Sequence, residues 1–383
     1  MRLELIKRPQ HSKLFSALSP FIAFVMTVIA GAILFALLGK NPGDALYAYF
    51  VSPLTDLWSL HELAIKAAPL ILIAVGLSVC YLSNNWNIGA EGQFVMGAVA
   101  GAMLPVIFPG LQQSPFALPI MLVMGVLGGA AYAAIPAFLK ARFNTNEILT
   151  SLMLVYVAQL FLDWLVRGPW RDPAAMNFPQ APRFTDYAIL PELLPSSGRA
   201  NLGILFAVIA AVLVWVMINH TRKGFEIRVI GMSPRAGRFA GFSTTRIIFF
   251  SFLLSGALAG LAGISEVSGA IGRLQPSISP GYGFAAIIVA FLGRLNPLGI
   301  VAAGLVLALT YLGGEVAQIE VGVSDKVVRA FQGLLLFFVL AWCLRRNMPQ
   351  AMARLPGEVV EQLGRTPLAG KQNLHLLRVG GKL

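Results

Sequence analysis

His-Thr-Arg-Lys-Gly-Phe-Glu-Ile-Arg-Val-Ile-Gly-Met-Ser-Pro-Arg-Ala-Gly-Arg-Phe-Ala-Gly-Phe-Ser-Thr-Thr-Arg, running from His220 to Arg246, lies between two uncharged apolar stretches, Ala200–Asn219 and Ile247–Ser265. Each of those stretches is long enough to cross a hydrocarbon core of about 30 Å as a helix. The connector carries about six Lys or Arg against one Glu, which the positive-inside rule reads as a cytoplasmic loop. Within it, Ser233–Gly241 predicts a short helix: Ser233 suits the N-cap, Pro234 the first helical position, and Gly241 the left-handed residue beyond the end. Two turns do not hold alone in water, because nucleation costs more than so few hydrogen bonds return, so this helix needs a surface to rest on. Arg235 and Arg238 share a face at i,i+3 spacing. That face reads either as solvated positive-inside charge or as a docking face for a soluble partner.

Outward from this loop the chain is mostly membrane. Its 383 residues are 57% hydrophobic and 12% charged with mean hydropathy +0.75, more apolar surface than one soluble core can hide. Spans are expected at Ser19–Gly39, Ala67–Tyr81, Gly92–Phe108, Phe116–Leu139, Ile148–Val166, Ala200–Asn219, Ile247–Ser265, Gly283–Gly293, Leu295–Gly314 and Val327–Leu344. The expected fold is therefore an all-α polytopic membrane protein of about ten transmembrane helices. Its parts are a cytoplasmic N-terminal segment over residues 1–18, a transmembrane domain over 19–345 with the basic loop at 220–246, and a polar, basic, flexible cytoplasmic tail over 346–383.

A net charge of +12 raises the question of nucleic acid, and the distribution of charge answers it. Roughly 20 of the 29 Lys and Arg fall on the inner side of this topology, so the excess is topological and no nucleic-acid partner is expected. The exception is the outer loop Arg167–Arg199 with four Arg, whose Pro-rich part Pro169–Pro195 is expected to form a short folded cap and not a domain. Other outer loops are expected at Lys40–His61, Pro109–Pro115, Glu266–Tyr282 and Glu315–Lys326. Met1–Lys13 and the apolar run after it resemble a signal peptide, but no small-residue cleavage region follows, so the run is taken as a first span.

Catalytic chemistry is hard to place. His11, His61, His220 and His375 are scattered, Cys80 and Cys343 fall in different spans, and no phosphate-binding G-x-x-x-x-G-K-[S/T] loop occurs. No metal site, cofactor or catalytic residue is expected, and an ATP-driven version of this chain needs its nucleotide bound elsewhere. Gly97 and Gly101, Gly125 and Gly129, and Gly256 and Gly260 repeat at four-residue spacing, which lets helix backbones approach closely in lipid or lines a pore with small residues.

Two polar stretches interrupt the apolar pattern. Ser83-Asn84-Asn85-Trp86-Asn87-Ile88-Gly89-Ala90-Glu91-Gly92-Gln93 sets three Asn, a Glu and a Gln between two spans. Exposed to hydrocarbon, these groups would cost several kcal/mol, so they form a turn at the interface with Asn87 as N-cap, or they line a water-filled path at a break in a discontinuous helix. Asn144-Thr145-Asn146-Glu147 likewise reads as a helix start with its acid in the first turn, or as a gate beside that path.

The chain resembles the membrane-spanning permeases of bacterial ABC importers in the branched-chain amino acid and simple-sugar group, nearest the branch tied to nucleoside uptake and basic-membrane-protein lipoproteins. The resemblance is carried by Asn87–Gln93, by Asn146-Glu147-Ile148 running into Leu152-Met153-Leu154, by Thr221–Arg228, by Ser255–Gly263, by Gly281-Tyr282-Gly283-Phe284 and by Gly293–Gly299, in that order. It implies an inverted repeat of helices around a central path and a coupling helix seated on an ATP-binding subunit. Carried onto this sequence, the coupling residues are Gly224, Phe225, Glu226, Arg228, Ser233, Pro234, Arg235, Ala236, Arg238 and Gly241. The path residues are Asn87, Glu91, Gln93, Asn146, Glu147, Tyr282 and Phe284. The implied partners are the ATP-binding subunit, a second permease subunit, an extracytoplasmic substrate-binding lipoprotein, membrane lipid and a small-molecule substrate. The implied location is the bacterial inner membrane with both termini cytoplasmic, and the cargo a nucleoside or related small polar solute. A simple-sugar or branched-chain amino acid permease is the alternative. An ion-coupled carrier would need a deep carboxylate, and Glu91, Asp163 and Glu266 are all expected near span ends.

Overall fold

The computed structural model describes residues 2–6, 13–193, 199–324, 326–331, 333, 334, 337 and 351–355. Two compact units divide the chain. One is Val28–Leu336 and the other joins Met1–Thr27 with Phe337–Leu383. In the latter, β1 (Arg2–Ile6) pairs antiparallel with β2 (Ala351–Leu355), Arg2 standing opposite Leu355 and Ile6 opposite Ala351. This corrects the expectation of a flexible tail at those five residues; the rest of Arg346–Leu383 lies outside the described residues, as does Cys343.

Everything else of regular structure among the described residues is helical. The order is α1 (Lys13–Leu37), α2 (Pro42–Phe50), α3 (Ser52–Thr55), α4 (Leu57–Leu82), α5 (Ala90–Ile107), α6 (Ala117–Phe143), α7 (Glu147–Arg167), α8 (Leu202–His220), α9 (Arg222–Met232), α10 (Pro234–Phe239), α11 (Thr244–Glu266), α12 (Tyr282–Leu292) and α13 (Pro297–Val321). In lipid every backbone group must be paired within its own segment, so apolar runs have no alternative to the helix. Their starts are written in local chemistry: Asn41, Asp56, Asn146, Asn201, Ser243 and Asn296 each accept a hydrogen bond from an N–H of the turn that follows. Among the described residues, α4, α5, α6, α7, α8, α11 with its continuation to Ile271, and α13 are long and apolar enough to cross a membrane. Val25–Leu37 of α1 and the whole of α12 are shorter apolar helices. The last expected span, Val327–Leu344, falls largely outside the described residues.

The central post is α4, with 83% of its apolar window buried, whereas α6, α7 and α8 bury only 22%, 28% and 33% of theirs and leave broad apolar flanks uncovered. The glycine pairs prove to be packing devices. A Cβ on Gly97 would strike Gly260, one on Gly129 would strike Gly256 and Gly260, and one on Gly101 or Gly125 would strike Ile264. Helices α5, α6 and α11 thus meet backbone to backbone, the arrangement by which dispersion replaces the missing hydrophobic drive in lipid.

Two loop boundaries need correction. Within the expected loop Lys40–His61, α2 is helical and packs so closely on α13 that Gly313 faces the Tyr49 carbonyl, and α4 begins at Leu57. Within Glu266–Tyr282, α11 continues into a π-helical turn over Val267–Ile271 that stops at Gly272 with φ of 75°. The Pro-rich stretch does form a folded cap: Ala181, Phe184 and Leu190 donate their N–H groups to the carbonyls of Leu274, Gly272 and Ser268 at 2.9, 2.9 and 3.0 Å. It covers the bundle end opposite to the one that carries α9 and α10.

Candidate functional site

The turn between α4 and α5 has an exposed rim, Asn84 and Trp86, and a buried polar interior. Asn84 takes a left-handed conformation, φ 56°, and the chain then runs without helix from Asn85 to Gly89, leaving Trp86 exposed while Asn85 and Asn87 turn into protein. Asn85, Asn87, Glu91 and Gln93 are 3%, 0%, 2% and 1% exposed, so each polar group needs an internal partner, and each has one. The Asn87 amide donates to Gln93 Oε1 at 3.0 Å and to Ser255 Oγ at 3.1 Å, and its Oδ1 accepts from Gln93 Nε2 at 3.1 Å and from the Gly89 N–H at 3.0 Å. This corrects the expectation of Asn87 as N-cap: Gly89 holds that position, and the Asn87 side chain turns inward to tie the break to α11. One helical turn earlier on α11, Ser251 shares a 2.9 Å bond with Ser83, which in turn accepts from Asn85 Nδ2 at 2.8 Å.

At the outer rim of this knot Lys140, on the last turn of α6, donates to Asn85 Oδ1 at 2.8 Å and to Glu147 Oε1 at 2.5 Å. Glu147 also accepts from the Trp86 N–H at 3.3 Å. The ends of α6 and α7 are therefore clamped to the break by one ammonium and one carboxylate, each less than a fifth exposed. Asn146 is an exposed cap that accepts from the Ile148 and Leu149 N–H groups. Trp86 stacks on Phe291 with centroids 6.0 Å apart and Tyr81 on the same ring at 5.0 Å, which seats the end of α12 beside the end of α4.

The start of α12 lies deeper. Its 11 residues rise about 16 Å, roughly half the hydrocarbon thickness. There the Gly283 N–H donates to Glu91 Oε2 at 2.6 Å, and a Cβ on Gly283 would strike the Glu91 backbone, so the two chains touch directly. Tyr282, 3% exposed, packs edge-on to Phe94 at 6.2 Å and against Tyr311 at 5.9 Å. Four expected path residues, Asn87, Glu91, Gln93 and Tyr282, thus lie together inside the bundle. Asn146 and Glu147 lie at its end, and Phe284 is 37% exposed. Sequence reading missed Ser251, Ser255 and Tyr311. Two serines four apart in an apolar span were the available signal.

On the face beyond the break stand α9 and α10. Thr221 caps α9 by accepting from the Gly224 N–H at 3.3 Å, Glu226 takes Lys223 at 2.8 Å, and Arg228 donates to the Ile218 carbonyl at 2.9 Å, covering an orphan acceptor at the end of α8. Gly224 meets that same carbonyl, and Gly231 meets the carbonyl of Leu82, the last residue of α4; neither position has room for a Cβ. The short helix α10 has the expected cap, Ser233 Oγ accepting from Ala236 N–H at 3.3 Å, then Pro234 and, beyond Ala240, Gly241 at φ 79°. It rests on α9 through Gly237, whose added Cβ would lie 2.7 Å from Ile230. Its free side presents Arg235, Ala236 and Arg238, with Phe239 94% and Met232 80% exposed beside them. Large apolar side chains are thus bared between basic ones on this face.

A bundle of apolar helices long enough to cross a membrane, broken at a buried polar knot, defines a polytopic membrane protein. The chain belongs to the family described as the permease component of the branched-chain amino acid transport system, whose model matches residues 59–340. It is 37% identical to the glucose ABC transporter permease of Haloferax volcanii, over 84% of this chain and 86% of that one. It is 30% identical to the guanosine ABC transporter permease of Bacillus subtilis, over 88% and 94%. It is 28% identical to a nucleoside ABC transporter permease of Lactococcus lactis subsp. cremoris, over 92% and 99%. It is a multi-pass membrane permease component of an ABC importer, a family that works with an ATP-binding subunit and a substrate-binding protein.

Proposed function

We propose that this chain forms, with a second permease subunit, the path by which nucleosides or related small polar solutes enter the cell. An extracytoplasmic lipoprotein delivers the cargo and ATP is hydrolysed on a separate subunit, this chain carrying no catalytic residue. The orientation is the one in which α9, α10 and both termini face the cytoplasm, with residues 1–18 and 346–383 flanking the transmembrane domain. The observation that carries this reading is α10: a capped helix too short to stand alone, wedged on glycines, bearing Arg235, Arg238 and the bare Phe239 outward. An ATP-driven partner gripping that helix would push on α9, and α9 bears on Leu82, the residue before the polar break. Closure of the nucleotide-binding subunits would then reach the Asn85–Lys140–Glu147 clamp and the Asn87 knot by rigid-body displacement.

Charge reversal at Arg235 and Arg238 together tests it. Uptake and co-purification of the ATP-binding subunit should fall while membrane insertion is unchanged; wild-type uptake would remove the docking role. A second reading, a simple-sugar cargo, is favoured by the 37% identity to the glucose permease. Uptake of guanosine against glucose by the reconstituted transporter separates the two.

A further inference from the structure

We propose that Glu91 is the path's resident counter-anion: its carboxylate fills the seat made inside the membrane by the converging N-termini of α5 and α12, so the solute that crosses is neutral and hydroxyl-bearing. This rests on the permease reading above and sharpens its cargo class. The unpaired N–H groups of a helix start carry partial positive charge, and in a discontinuous transporter helix that charge commonly meets an anionic group of the substrate. Here the place is taken. Glu91 stands in the first turn of α5, where the helix dipole favours an acid, and the N-cap Gly89 has no side chain to supply one. From the other side α12 brings the Gly283 N–H to 2.6 Å from Glu91 Oε2. The α12 N-cap, Gly281 at φ 97°, likewise has no side chain, and Ser279 Oγ accepts the N–H groups of Gly281 and Tyr282 at 3.1 and 3.0 Å, leaving that of Gly283 to Glu91. One buried carboxyl in the first turn of α5 thus takes the first turn of α12, the two backbones held in contact by a glycine. The carboxylate end of a leucine, or a phosphate, would find the positive helix starts already taken by Glu91, whereas a ribose or hexose has no anionic group to seat and would meet an acceptor and the tyrosines Tyr282 and Tyr311.

The test uses the reconstituted transporter with its ATP-binding subunit and binding protein, measuring ATP-driven uptake of guanosine, glucose and leucine. Wild type is expected to carry guanosine or glucose and not leucine. Glu91→Ala is expected to lower uptake about tenfold or more, and sodium formate, a carboxylate that fits the vacated space, should restore much of it while neutral formamide does not. Glu91→Gln, which keeps the shape and an acceptor for Gly283, guards against a variant that does not assemble: reduced uptake indifferent to formate is expected. Wild-type uptake by either variant, or equal rescue by formamide, overturns the counter-anion. Leucine uptake by wild type overturns the neutral-cargo class. If wild type carries none of the three, the cargo reading fails, and ATP hydrolysis stimulated by the binding protein, read with the same two additives, still decides the role of Glu91.

Discussion

Replacing Asn87 by Ala is the sharpest probe of the break. The wild-type side chain is fully buried and makes four hydrogen bonds, to the Gly89 N–H, to both ends of the Gln93 amide and to Ser255 Oγ. Ala leaves the Gly89 donor and the two Gln93 groups without partners, while the Ser255 hydroxyl can turn back to a carbonyl of its own helix. A stranded buried group costs about 1–3 kcal/mol in soluble proteins, and interhelical hydrogen bonds in membranes average about 0.6 kcal/mol. Three groups at the membrane end of that range give a loss of about 2–3 kcal/mol, some 30- to 150-fold in the unfolding equilibrium. Reversible unfolding of the purified protein in mixed detergent reads it directly. The cycle Asn87→Ala with Ser255→Ala isolates the tie between the break and α11, with an expected coupling of about 0.6–1.7 kcal/mol. A single-mutant loss under about 0.5 kcal/mol, or a coupling of zero, would mean that the break is held by backbone geometry alone and would refute the reasoning.

Three further perturbations follow from close contacts. Gly231→Ala drives a methyl into the Leu82 carbonyl, so α9 must back away from α4; transport coupling should drop with helical content intact, at about 1–3 kcal/mol of overpacking, seen as ATP hydrolysis that no longer responds to cargo-loaded binding protein. Lys140→Met should cost about 1–3 kcal/mol because it strands Glu147 and Asn85; the pair Lys140→Met with Glu147→Gln should cost less than the sum of the two, and additive losses measured by thermal unfolding would deny the clamp. Gly260→Leu places a branched side chain where Gly97, Gly125 and Gly129 touch backbone, so little protein should survive extraction in mild detergent, whereas Gly110→Leu, with nothing within 4 Å of its Cβ, should extract like wild type.

What was legible in the sequence is what is decided locally. Ser233, Pro234 and Gly241 specify α10 through groups at most a few residues apart, and Asn146 caps α7 for the same reason. Span limits were less legible where hydropathy and capping disagree. The window opened α4 at Ala67 because His61, Glu62 and Lys66 are polar, yet the helix starts ten residues earlier behind the Asp56 cap. It can do so because Lys66 finds Glu315 at 2.8 Å and Glu62 finds Arg199 at 3.8 Å, partners invisible to any local count. The same blindness misassigned Asn87. By spacing alone it suits an N-cap, but its amide is committed to Gln93 and to Ser255, a residue 168 positions away.

The case of α12 shows why composition cannot separate a full span from half of one. Eleven apolar residues after Gly281 are consistent with the tip of an ordinary crossing, and the expectation of Glu91 near a span end rested on the same count. The depth of that end is set by where the neighbouring chain goes. Asn85 to Gly89 runs without helix beside α12, and Gly89, at φ −87° and ψ 11°, turns the chain into α5. Across it Glu91 meets Gly283 near the start of α12, while Trp86 stacks on Phe291 near its end. A helix-free polar segment and a short apolar helix are therefore tied at both ends. A carboxyl that local reading leaves at the edge of a span ends up inside the bundle, where the start of a second helix pairs it.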